Sequence, residues 1–310
     1  MAQPGMTSPG QGEEAGLETR GSRAQTQHTL LTILGDYWYE RDEYLPSAAL
    51  VELLAEFDVT AFSARAALTR LTRRALLRWE KRGRRTFYAL TGRAAAVLTE
   101  GGRRIVSFGA HDAPWDGQWA FVAFSVPESR RPIRHILRER LRWLGYAPLY
   151  DALWVSPRDR SAEVRRVLDD LDLRTATLFT GSMHTASPTC GSPLVAWDLE
   201  ELRRYYETFA AEWRPWAERT RSGSVTPAQA LVARTEVMDK WRTFPRLDPE
   251  LPRTLLPQGG LRTEARQLFV DIYDGLGPLA ELRVRQLLTR YNPRLAELAT
   301  HHTTGQLLRI

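Results

Sequence analysis

The sequence predicts an α+β protein in three parts: an N-terminal winged helix-turn-helix, a central ferredoxin-like α/β domain and a mostly helical C-terminal domain. Three observations carry this expectation. Between Ala64 and Ala75 apolar residues recur at helical spacing, and from Leu77 the period drops to two around a basic glycine turn. From Trp119 to Thr180 strand-like and helix-like stretches follow in the order β-α-β-(β)-α-β. Beyond Ala196 helical spacing prevails and aromatic residues are frequent.

The 310 residues, 43% of them apolar, suffice for two or three domains with real cores. The single cysteine, Cys190, excludes an internal disulfide and suits a reducing cytosol. No apolar run approaches the roughly 18 residues that span a membrane, and the first residues lack the apolar centre of a secretion signal. A soluble, cytoplasmic protein is expected, with no membrane partner.

Residues 1–24 are rich in Gly, Ser, Gln, Glu and Pro, cannot repay the entropy of ordering, and read as a disordered tail. The DNA-binding part is expected over residues 25–108. Leu30, Leu31, Ile33, Leu34, Tyr37 and Trp38 mark a first helix, and Pro46 opens a second that carries Leu50, Leu53 and Leu54. Phe57-Asp58-Val59 makes a short turn. Ala64, Ala67, Leu68, Leu71 and Ala75 then form one face of a third helix, with Thr60 as its N-cap. Leu77 and Trp79 alternate against Arg78 and Glu80 in a strand, Gly83 supplies the turn, and Thr86 to Leu90 returns. Thr91 to about Val106 is a fourth helix.

Charge gives this outline its chemistry. Between Arg65 and Arg85 nine basic residues stand against one acid, Glu80, and a polyanion is the simplest partner that relieves such repulsion. In a winged helix-turn-helix the second helix of the pair enters the major groove, where arginine can bond guanine in bidentate fashion. Ser63, Arg65, Thr69 and Arg70 are the candidates for base edges. Arg73, Arg82, Arg84 and Arg85 are the candidates for phosphates, and Arg74 and Lys81 are further DNA-binding candidates. Double-stranded DNA is the expected partner.

The central domain is expected over residues 113–183, with strands at Trp119–Val126, Leu149–Ser156 and Ala176–Thr180 and helices at Pro132–Leu144 and Ser161–Leu171. The first of these helices carries Arg130, Arg131, Arg134, Arg138, Arg140, Arg142 and His135, a face that Glu139 and the acids of residues 161–172 can offset. The C-terminal domain is expected over residues 194–310, with helices at about 196–217, 228–244, 263–273 and 279–291. His184 with Cys190, and His301 with His302, are pairs without a second pair, so no metal site is expected. Nucleophile elbow, phosphate loop and dinucleotide fingerprint are all absent, and no cofactor or enzyme activity is indicated.

Residues 31–37 (Leu-Thr-Ile-Leu-Gly-Asp-Tyr), 65–71 (Arg-Ala-Ala-Leu-Thr-Arg-Leu) and 83–91 (Gly-Arg-Arg-Thr-Phe-Tyr-Ala-Leu-Thr) resemble the PaaX family of bacterial transcriptional repressors. So do Trp115-Asp116-Gly117-Gln118-Trp119, Asp248-Pro249-Glu250-Leu251-Pro252 and Leu255-Leu256-Pro257. The chain departs from that pattern at Gln258-Gly259-Gly260, where a tryptophan is expected. The resemblance implies a homodimeric repressor of phenylacetate or related aromatic catabolism, released from a palindromic operator by a coenzyme A thioester such as phenylacetyl-CoA. It also implies a middle domain similar to a small CRISPR-associated nuclease. The aspartate such a nuclease needs at the end of its first strand is missing from Phe124-Ser125-Val126-Pro127-Glu128, so the domain is expected to be an inactive, dimerising module. An acyl-CoA would need an apolar pocket and arginines for its phosphates, for which Arg203, Arg204, Trp213, Arg234 and Trp241 are the candidates. Two alternatives stay open: an enzyme or biosynthetic accessory on the same scaffold, or a repressor answering to another aromatic acid or acyl-CoA.

Overall fold

The structure, a computed structural model, describes residues 11–110, 114–183, 193–256 and 260–309, with side chains from residue 24 onward. It is a mixed α+β chain in two compact units. One holds the residues up to Arg103, Trp216–Asp239 and the stretch from Val270; the other holds Arg104–Pro215 and Lys240–Phe269. Residues 194–310 contribute to both units.

The chain begins with α1 (Gln11–Tyr37), β1 (Leu45–Pro46), α2 (Ser47–Ala55), α3 (Ala61–Arg73), β2 (Leu77–Arg82), β3 (Arg85–Leu90) and α4 (Gly92–Ser107). Helix α1 starts at Gln11, inside the stretch read as a tail, while residues 1–10 lie outside the described residues.

Helix α3 buries Ala64, Ala67, Leu68 and Leu71, as its spacing requires. Its N-cap Thr60 accepts from the Ser63 backbone N–H at 3.2 Å. Ala75 does not extend that face. It sits at φ +54, exposed, in a Schellman ending in which the Leu76 N–H donates to Leu71 O and the Ala75 N–H to Thr72 O. Thr60→Ala should cost about 1 kcal/mol, read as a lower denaturation midpoint that Thr60→Ser restores.

Strands β2 and β3 pair from Leu77↔Leu90 to Arg82↔Arg85, which leaves Gly83 and Arg84 as a two-residue turn. Gly83 has φ +61 and Arg84 has no positive φ, the pattern of a type II′ hairpin. Short β1 pairs with the other edge of β3, giving the order β1-β3-β2. Only Leu77 is buried along β2, and Trp79, which alternates in phase with it, is 57% exposed.

The second unit contains β4 (Trp119–Phe124), α5 (Arg131–Trp143), β5 (Ala147–Tyr150), β6 (Leu153–Ser156), α6 (Ser161–Asp170) and β7 (Ala176–Gly181). The strands form an antiparallel sheet in the order β5-β6-β4-β7. Alternation in β4 sends Ala120, Val122 and Phe124 to the face that packs Leu137 and Leu141 of α5 and Val164 and Leu168 of α6. Trp119 and Phe121 go to the other face, with Trp115, Trp197 and Leu255. The cations of α5 are offset largely as expected. Arg140 pairs with Asp170 at 2.9 Å, Arg142 with Glu139 at 2.5 Å and Arg134 with Glu128 at 2.9 Å.

The remaining helices are α7 (Leu199–Arg221), α8 (Pro227–Trp241), α9 (Phe244–Leu247), α10 (Leu261–Gly275), α11 (Gly277–Thr289), α12 (Pro293–Leu298) and α13 (Thr304–Leu307). Each unit contains a buried arginine–aspartate pair. In the first, Arg234 donates to Asp36 at 3.0 Å. In the second, Arg262 grips Asp248 with two bonds at 2.7 and 2.8 Å, and Tyr206 donates to the same carboxylate. Asp248 opens the Asp-Pro-Glu-Leu-Pro stretch, so that stretch has a structural role. Among the described residues no helix is long and apolar enough to cross a membrane.

Candidate nucleic-acid interface

The first unit presents α3 and the β2–β3 hairpin with their charge largely unspent. Arg78 is tied to Asp42 at 2.7 Å and lies 5.2 Å from the Tyr44 ring centre. Arg82 pairs with Glu80 and lies 4.9 Å from the Phe87 ring. By contrast Arg65, Arg73, Arg74, Lys81, Arg84 and Arg85 are exposed and make no ion pair or side-chain hydrogen bond among the described residues. Arg70 is half-buried, and its Nε is shut from solvent with no partner among them.

Helical geometry sorts these residues. Arg65, Thr69 and Arg73 are four apart and share the solvent side of α3. The Thr69 hydroxyl donates to Arg65 O at 3.0 Å and keeps its lone pairs as acceptors. Ser63 lies in the first turn and accepts from the Thr60 hydroxyl at 3.1 Å. The hairpin carries Lys81, Arg82, Arg84 and Arg85 at or next to its tip. A basic rod beside a basic finger is an arrangement that can hold phosphates from the finger and present Arg65 and Thr69 to base edges. Two exposed aromatic residues that the sequence reading does not assign to DNA also belong to this surface. Phe62, in the first turn of α3, is 82% exposed, and the helical wheel places it off the buried face. Trp79 is the other.

The residues considered for a coenzyme A thioester fall in both units. Trp213 and Trp241 are core residues of the second unit, where the Trp241 ring stacks on Phe269 at 5.0 Å. Arg234 belongs to the first unit and is fully buried. Its three nitrogens donate to Tyr273 O, Asp36 and His302 O at 2.9, 3.0 and 2.7 Å, and its burial puts it out of a phosphate's reach. Arg203 is held by Glu200 and Glu207, and Arg204 is exposed. Arg203 does border a mainly apolar cavity of ≈ 330 Å³ lined by Leu199, Leu202, Tyr206, Leu256 and Leu261, with Glu200 and Arg262 also on its wall. Burial pushes the Tyr206 hydroxyl well above its usual range, with the Asp248 carboxylate adding to it, so Tyr206 is a neutral wall. No cluster of three metal-ligating side chains occurs among the described residues, and His184 and Cys190 lie outside them.

Comparison with known proteins bears on this surface. Residues 25–94 match the family model described as PaaX-like protein, residues 112–190 the PaaX protein central Cas2-like domain, and residues 197–286 the PaaX-like protein C-terminal domain. The transcriptional repressor PaaX of Escherichia coli (strain K12) is 26% identical over 255 residues, which cover 80% of this chain and 79% of the relative. An uncharacterized protein from Mycobacterium tuberculosis shares the fold with a TM-score of 0.52 at 17% identity, over 81% of this chain and 94% of that one. Matched in order by three models of one family between residues 25 and 286, the chain belongs to the PaaX family.

Proposed function

We propose that this chain is a DNA-binding transcriptional repressor of the PaaX type, a homodimer that reads a near-palindromic operator and is released by an aryl-acyl-CoA such as phenylacetyl-CoA. One observation carries the DNA reading: six cations on α3 and the hairpin remain unneutralised in a fold that pairs its other charges extensively. The first unit has the element order of a winged helix-turn-helix, with α3 as recognition helix and β2–β3 as wing. The strand order of the second unit supports a ferredoxin-like arrangement for the Cas2-like domain, which serves as the dimerising module. The E. coli relative is named as a repressor, and that name supports a regulatory, non-enzymatic role here.

For the effector we propose the apolar cavity beside Arg203 as the seat of the acyl group. An apolar cavity of about 150 Å³ already admits a benzene ring, so ≈ 330 Å³ leaves room for an arylacetyl group. Arg204, exposed on the same helix as the cavity wall, suits the phosphates, and Arg203 would join it only by leaving Glu200 and Glu207. The test is fluorescence anisotropy with DNA from the gene's own upstream region and a scrambled duplex, at two salt concentrations, with and without phenylacetyl-CoA. Tight selective binding that the thioester reverses is expected. Equal, weak and strongly salt-dependent binding to both duplexes would sink the repressor reading, and selective binding indifferent to the thioester would sink the effector.

A further inference from the structure

The cleft into which Arg65 and the hairpin cations open has a second wall, made by the C-terminal stretch of the same unit. It measures ≈ 1100 Å³, with Arg65, Arg82, Arg84 and Arg85 on one side and Arg290 and Tyr291 on the other. The two acids that line it, Asp42 and Glu43, are outnumbered by these five arginines, and Asp42 is already engaged by Arg78.

The second wall is the corner between α11 and α12, and three contacts fix it to α2. Arg283 forks onto Glu56 with bonds of 2.9 and 2.7 Å. The Tyr291 hydroxyl donates to Glu52 at 2.6 Å, and Arg290 pairs with the other oxygen of that carboxylate. Helix α2 packs in turn on α3, so the corner is attached to the helix that carries Arg65. Arg290 stays 59% exposed despite its partner, and an exposed pair of this kind is loosely held. Arg294, on the first turn of α12, is exposed and has no side-chain partner among the described residues.

We infer that the α11–α12 corner is a second phosphate clamp, in which Arg290, in the cleft wall, and Arg294, exposed four residues on and outside the cleft lining, hold successive phosphates of the DNA backbone. The inference rests on the DNA reading above and adds a contact beyond residue 286, where the matched family stretches end. It gives Glu52 a function as well: in the free protein the carboxylate holds Arg290 in place, and a backbone phosphate displaces it.

Anisotropy titrations over a salt series test this, with the upstream duplex and a scrambled one. Arg290→Gln/Arg294→Gln should weaken binding to both duplexes by the same factor, about tenfold or more, and flatten the log K against log salt slope by about 2, one unit for each phosphate no longer held. Glu52→Gln, which removes the competing carboxylate and keeps the Arg283–Glu56 anchor, should tighten binding to both severalfold. Wild-type affinity and slope in the double variant, alongside weakened binding by Arg84→Gln/Arg85→Gln, would place the corner off the DNA and overturn the inference while leaving the DNA reading intact. Reduced affinity with an unchanged slope would show that the corner acts through folding, and would overturn it too. A wild-type protein with no salt-dependent binding to either duplex would end both readings.

Discussion

Replacing Asp36 by alanine is expected to destabilise the first unit by about 3–5 kcal/mol, the cost of stranding a buried guanidinium. Arg234 is fully buried and Asp36 nearly so. Asp36 accepts from Arg234 on one oxygen at 3.0 Å and from the Tyr273 hydroxyl on the other at 2.7 Å. The carbonyls of Tyr273 and His302 would still accept from Arg234 in the variant, but neither supplies the missing negative charge. Burial pushes the Asp36 carboxyl above its ordinary range while Arg234 and Tyr273 pull it back, so the pair itself is expensive to bury. Asp36→Leu/Arg234→Met, which fills the space without either charge, should therefore recover most of the loss. Urea unfolding of the two variants decides the matter. A loss below about 1 kcal/mol for Asp36→Ala would mean that water reaches Arg234 and that the pair is no clasp.

That pair also marks where local sequence reasoning stops. The partners of Arg234 lie up to 198 residues away, and no periodicity reports such a contact. An arginine among aromatics accordingly read as a ligand contact when it is a core residue. The opposite case is Arg203, whose partners Glu200 and Glu207 stand three and four residues away on one helix; that spacing alone could have shown it to be engaged. Helix α3 was legible because its cap, its buried face and its charge all point the same way. Its end was not, since Ala75 continues the apolar spacing yet turns left-handed to close the helix. Trp79 alternates in phase with Leu77 yet is exposed, because alternation assigns sides of a strand but cannot tell how far a core extends beneath it. Two-residue β1 carries no period at all. The Arg290 corner is legible only once the fold brings it to the cleft.

Reversing Arg84 and Arg85 to glutamate should lower affinity for any duplex by about two orders of magnitude, with little change in preference between operator and scrambled DNA. Both residues are exposed and without partners among the described residues, so each substitution removes a phosphate contact from the complex and adds a repulsion. Because phosphates are the same in every sequence, operator and scrambled DNA should suffer in step. Arg65→Ala should behave differently. Arg65 lies on the solvent side of α3 with Thr69, and loss of a bidentate base contact removes about 1–3 kcal/mol of discrimination. The operator would then weaken by tenfold or more while scrambled DNA loses only one charge contact. Arg70, half-buried with its Nε closed off from solvent, should contribute less to selectivity than Arg65. Anisotropy on the two duplexes separates these outcomes. If the Arg84/Arg85 reversal bound as tightly as wild type, the unspent charge would be a solvated face rather than a wing. If Arg65→Ala kept full selectivity, α3 would not be the element that reads the groove, and Phe62 and Trp79 would become the residues to test.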